Sequence, residues 1–158
     1  MCRAIWPRHR PGLRIRPGYS DTEYEALYSL GYNHYSQERY LDAVKCFGFL
    51  VAHNTMEPRY MSAFACTLQM LKRYREAIQY HSTASVMDLE DPLPTFHTAE
   101  CFIALEMHQE AREALTLVLA QCDTLQWQDL RQRSETLLAR LPETDSGGAD
   151  TPVSEVTS

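Results

Sequence analysis

The chain has 158 residues, 44% of them apolar, and a formal net charge of −6, which suits one domain with its own core. No run approaches the roughly 18 apolar residues of a membrane-crossing helix, and the five cysteines (Cys2, Cys46, Cys66, Cys101, Cys122) form no CxxC pair, so neither a zinc ribbon nor a disulfide framework is suggested and a reducing cytoplasm is the expected compartment. Residues 20–142 carry 10 basic and 17 acidic side chains, an excess that argues against a nucleic-acid surface.

Residues 1–19 hold five Arg, three Pro, two Gly and no acid, and are expected to form a disordered basic arm. Arg interrupts every apolar run there, so a secretory signal is not expected. Ser20-Asp21-Thr22-Glu23 reads as a capping box that opens a helix from Asp21 to about Ser36. A partner helix, from about Glu38 to Ala52, places Ala43, Cys46, Phe47 and Leu50 on one stripe. His53-Asn54-Thr55 breaks it, and Pro58 stands where a first helical turn has no use for an N–H. Further helices are expected at about Glu57–Leu71, Arg75–Met87, Pro94–Met107 and Gln109–Cys122, with the loop Asp88–Pro92 between the second and third pairs. A last amphipathic helix, Leu125 to Leu141, puts Leu130, Leu137, Leu138 and Leu141 on one stripe. From Pro142 to Ser158 the composition is that of a disordered acidic tail.

The helices repeat. Ala43, Ala77 and Ala111 are 34 residues apart, as are Asp42, Glu76 and Glu110, then Gly31, Ala65 and Ala99, and Tyr40 and Tyr74, with His108 in the third place. A period of 34 with small residues in both helices of a pair is the tetratricopeptide signature. Small residues are needed where two antiparallel helices approach closely. The expected fold is all-α: a solenoid of three helix pairs (about 24–57, 58–91 and 92–122) with a C-terminal capping helix at 125–141 that solvates the open end.

In such repeats the first helix of each pair lines a concave face. Its inward positions fall on Glu25, Tyr28, Tyr32 and Tyr35 in repeat one. They fall on Arg59, Ser62, Cys66 and Gln69 in repeat two, and on Leu93, Phe96, Glu100 and Ile103 in repeat three. Leu27, Leu30, Gly31 and His34 are expected to face the second helix, which leaves the tyrosine stripe for the groove. A groove aromatic at one end, small and polar in the middle and apolar at the other suits an extended peptide with spaced apolar anchors.

Catalytic signals are weak. His97 and Cys101 are i, i+4 with Glu100 beside them, but no second ligand pair matches, so a buried thiol and a hydrogen-bonded histidine are expected in place of zinc ligands. Nothing marks Cys46 or Cys66 as a nucleophile, no Gly-rich phosphate loop is present, and no cofactor is implied. An enzyme is not expected.

The stretches SDTEYEALYSLGYNHY, RYLDAVKCFGFL and EPRYMSAFACTLQMLKRYREAIQYH, and above all SVMDLEDPLPTFHTAEC with its acidic-Pro loop and His-x-Ala-Glu-Cys helix, resemble the class II chaperones of type III secretion systems. The likeness covers residues 20 to about 140. It implies a bacterial cytoplasmic chaperone that binds hydrophobic translocator proteins before export. It also implies that an extended N-terminal segment of the translocator, with a Pro-x-Leu-x-x-Pro type motif, lies in the groove, and that Tyr28, Tyr32 and Tyr35 are groove aromatics. Members commonly form homodimers, often through a helix ahead of the first repeat that residues 1–19 do not show, and some feed into regulation of secretion genes. No nucleic acid and no membrane insertion are implied. The alternative is a tetratricopeptide adaptor in another complex, such as a needle-subunit chaperone or a scaffold. A carboxylate clamp is disfavoured because Arg59 is the one basic residue at the inward positions.

Overall fold

A computed structural model describes residues 18–142; the basic arm up to residue 17 and the acidic tail from residue 143 lie outside the described residues. The described chain is all-α. Its helices are α1 (Asp21–Ser36), α2 (Tyr40–His53), α3 (Pro58–Met70), α4 (Tyr74–Met87), α5 (Leu93–Ala104), α6 (His108–Gln121) and α7 (Gln128–Arg140), with a 3-10 turn at Leu125–Trp127. Each helix packs mainly on the next in sequence, the nearest-neighbour arrangement of a solenoid. The N-terminus of α1 is the expected capping box, with the Ser20 and Glu23 side chains each accepting the other's backbone N–H. Tyr19, counted with the arm in the sequence, stacks edge-on against Tyr24, Phe49 and His53.

Three expected helix boundaries move. The second helix begins at Tyr40 and not at Glu38, the fifth ends at Ala104 and not at Met107, and the last is broken at its start into a 3-10 turn followed by α7. The first two shifts have one cause. Glu38, Lys72 and Glu106, again 34 apart, adopt φ of 59°, 61° and 60°, a left-handed conformation that ends a helix. The next residue in each case, Arg39, Arg73 or Met107, donates its N–H back to His34, Leu68 or Phe102 at 2.9 Å. This is the six-to-one bond of a Schellman turn, made with charged residues where glycine is usual.

The small-residue ladders lie between paired helices. Ala43, Ala65, Ala77, Ala99 and Ala111 are all fully buried. At Gly31 a Cβ would stand 2.8 Å from the Phe47 ring and 3.1 Å from Cys46 Cβ, so α1 and α2 approach as closely as they do only because that atom is missing. Phe47, Leu50, Tyr60, Met61 and Ala84 then form one core with Tyr24, and Phe96, Leu115, Val118 and Leu130 form another at the far end.

Two outcomes are expected. Ala77→Leu should destabilise the fold by about 1 to 3 kcal/mol, because a fully packed site must accept three more carbons; an unchanged urea midpoint would contradict the packing. Lys72→Gly should stabilise it by up to about 1 kcal/mol, because glycine adopts a left-handed φ without the Cβ clash, and thermal unfolding reads the difference.

Candidate peptide-binding groove

Of the three stripe tyrosines, Tyr32 is the most open, at 41% exposure. Tyr28 differs from the expectation. Its ring lies edge-on to Phe47 of α2 at 5.7 Å and 5.6 Å from Tyr60 of α3, so it joins the packing of α1 on both neighbours. Leu30, expected to face α2, is instead 47% exposed. Tyr35 packs edge-on against Tyr40 across the turn. The stripe therefore serves packing at both ends and presents most of its accessible ring at Tyr32.

Arg59 anchors this end of the groove. Its guanidinium lies 4.9 Å above the Tyr28 ring and 5.5 Å from that of Tyr60, and it pairs with Glu25 and Glu57. Burial works against its charge, but Glu25, with Glu57 and Tyr28, together outweigh burial and raise its pKa further. Burial pushes the Tyr28 hydroxyl pKa up strongly and that of Tyr60 up to about 12, so both rings stay neutral beside the cation. Glu25 and Arg59 occupy equivalent places one repeat apart, a complementary pair the 34-residue register brings together.

The middle and far end are more closed than expected. Ser62 and Ile103 are half-buried and Cys66 is buried. Gln69 donates to Glu100 at 3.2 Å, and His97 Nδ1 lies 2.8 Å from the same carboxylate oxygen, Oε2. Phe96, expected to line the groove, is fully buried in the core shared by α5, α6 and α7. Arg133 of α7 lies 4.8 Å over its ring and 3.7 Å from Glu100 Oε1. The final helix thus reaches Phe96 and Glu100 of α5 as well as capping the array. Periodicity could not have found Arg133, because α7 has no counterpart in the repeats.

Cys101 is buried against Leu68 and Ala77, and its neighbour His97 is engaged with Glu100. Among the described residues no group of three or more His, Cys, Asp or Glu has the geometry to hold a metal ion. Burial raises the pKa of the Cys46 thiol, the opposite of what a nucleophile requires.

Beneath the groove His81 of α4 is fully buried, 5.3 Å from His97 ring to ring. Gln69 turns its amide nitrogen to Glu100 and its oxygen to His81 Nε2 at 3.2 Å, so His81 carries its proton on Nε2. Its Nδ1, left without a proton, is enclosed with no hydrogen-bond donor to meet it among the described residues. Burial, and then His97, hold its pKa well below 6.5. For Glu100 burial acts upward, but the hydrogen bond and charge of His97, joined by the Gln69 hydrogen bond, act against it and the pKa is lowered. Both shifts act in one direction. As pH falls below 6.5 the unfolded chain protonates His81 and the folded chain does not, and at lower pH folding also resists protonation of Glu100. Stability should therefore fall below pH 6.5, by at most about 1.4 kcal/mol per pH unit from His81. Urea unfolding at pH 7.5 and 5.5 should show this slope, and His81→Gln should flatten it; equal slopes in the two proteins would rule out His81 as its source.

The tetratricopeptide repeat family model matches residues 24–52 and 59–91. The low calcium response locus protein H of Yersinia pestis is 32% identical over 120 residues, covering 75% of this chain and 71% of that protein. The chaperone protein SicA of Salmonella typhimurium is 26% identical over 116 residues, covering 72% of this chain and 70% of SicA. Among solved structures, the Yersinia enterocolitica chaperone SycD, in complex with a peptide of the translocator YopD, superposes with a TM-score of 0.73 at 31% identity, over 77% of this chain and 92% of that one. PcrH in complex with the chaperone binding region of PopB gives 0.73 at 30%, over 77% and 98%; PcrH is from Pseudomonas aeruginosa. With the helix pairs, their register and the matched length in agreement, the chain belongs to the family of type III secretion translocator chaperones that includes LcrH, SycD and PcrH.

Proposed function

We propose that this chain is a chaperone of a type III secretion system that binds hydrophobic translocator proteins before export, and that it holds an extended N-terminal segment of its translocator in the concave groove. The observation that carries this reading is that two relatives of the same fold, at 31% and 30% identity, are seen with translocator segments bound. The residues of this groove support it. Tyr32 supplies an accessible ring, a large anchor at modest entropy cost, and the Arg59–Glu25–Glu57 cluster fixes α1 against α3 so that the surface is formed before the peptide arrives. In the middle half-buried Ser62 and Gln69 present polar side chains to a peptide backbone, with Cys66 buried beneath them. The groove sites are Tyr28, Tyr32, Tyr35, Arg59, Ser62, Cys66, Gln69, Phe96, Glu100 and Ile103, with Tyr28, Cys66 and Phe96 acting from beneath the surface.

The protein acts by binding and makes or breaks no bond in its partner. Its place is the bacterial cytoplasm, where a translocator waits for export; among the described residues no helix is long and apolar enough to cross a membrane. A homodimer is the assembly this reading proposes, since the relative SycD is seen as a dimer.

Binding of a synthetic peptide with a Pro-x-Leu-x-x-Pro motif, taken from a translocator N-terminal region, tests the reading. Tyr32→Ala should weaken it roughly 5- to 30-fold with less change in melting temperature than at Tyr28, since its ring is the most open of the three. Tyr28→Ala should lose binding and also stability, on the order of 2 kcal/mol, because a packed ring is removed. Glu113→Ala, on the exposed side of α6, should do neither. Wild-type affinity in Tyr32→Ala would remove the groove assignment.

A further inference from the structure

The two ends of the groove carry the same device built to different strengths. Tyr28 and Phe96 stand two repeats apart in one register, and each has an arginine over its ring, Arg59 at 4.9 Å and Arg133 at 4.8 Å. Arg59 is fastened: its side chain is only 16% exposed and it pairs with two carboxylates. Arg133 is 51% exposed, and its ion-pair distance to Glu100 is 3.7 Å.

We propose that Arg133 is a displaceable cover on the third-repeat end of the groove, and that an aliphatic anchor of the bound segment takes its place against Phe96. This rests on the peptide-groove reading above and adds to it how that end opens.

Release is inexpensive for three reasons. Glu100 keeps His97 at 2.8 Å and Gln69 at 3.2 Å, so departure of Arg133 leaves no buried charge without a partner. A half-exposed guanidinium is already partly hydrated, and exposed pairs of this kind contribute little. The helix itself can stay in place. Leu130 and Ser134 remain buried in α7, Arg131 donates to the Cys122 carbonyl, and Arg112 of α6 donates to the carbonyls of Leu141 and Pro142. What opens is one ring face, with half-buried Leu93 and Ile103 in the same concave row. An aliphatic side chain gains more there than a hydrated arginine does. A cationic anchor would meet the place Arg133 holds and gain nothing by replacing it.

The test uses the full chain, the same translocator peptide and the neutral apolar dye Nile red. Arg133→Ala should bind the peptide roughly three- to tenfold more tightly, since the cover no longer competes. It should also bind Nile red with brighter emission than the wild type, with unchanged helical circular dichroism. Arg133→Lys, which keeps a cation near Glu100 but cannot lie flat on a ring, should fall between. Equal or weaker peptide affinity in a folded Arg133→Ala, with dye emission unchanged, would overturn the proposal. If the wild type binds no peptide while the dye still brightens in Arg133→Ala, the peptide reading fails and the cover stands.

Discussion

Close approach of paired helices is the constraint on which the rest depends. At Gly31 the Phe47 ring occupies the space a β-carbon would need, and Ala43, Ala65, Ala77, Ala99 and Ala111 are buried without remainder in the equivalent seams. Small residues there set the interhelical distance, and that distance sets the tilt from one repeat to the next. The concave face is a consequence of this tilt.

The three reversals within the pairs solve one problem in one way. Each first helix must stop and turn back within about three residues so that the second can lie along it. Glu38, Lys72 and Glu106 take the left-handed conformation that permits this. In the first two turns the following arginine pairs with an acid three residues on, Arg39 with Asp42 and Arg73 with Glu76; Met107 has no charge to do so. These pairs are exposed and contribute little energy, but they sit where an acidic side chain also favours the start of a helix.

Across the seams the polar groups behave differently from the apolar ones. Gln69, His81, His97, Glu100 and Arg133 come from α3, α4, α5 and α7, and Glu100 is reached from α3 and α7 as well as by His97 of its own helix. Such a network holds lining helices in register through directional bonds, whereas apolar packing tolerates small slips. At the other end the Glu25–Arg59–Glu57 cluster ties α1 to α3. One end is thereby held by the Arg59 ion pairs and the other by the bonds of Gln69 and His97 to Glu100. A receptor of this kind spends little ordering entropy when it takes up an extended chain.

Much of this was legible in the residues. The 34-residue ladders carry the helix pairs and their order, because the need for small residues at a close seam recurs at every turn of the solenoid. The capping box at Ser20 and the proline at the start of α3 were equally plain, since both act within a few residues of themselves. What only the tertiary structure decided concerns side chains that reach beyond their own repeat. Tyr28 belongs to the packing of three helices, Phe96 is covered from α7, and Glu100 is shared between neighbours. Glycine-free left-handed turns were also hidden, because Glu, Lys and Glu carry no local signal for that conformation. Local periodicity assigns a residue to a face of its helix; whether that face meets solvent, a ring or an arginine depends on which distant element the solenoid's curvature brings against it.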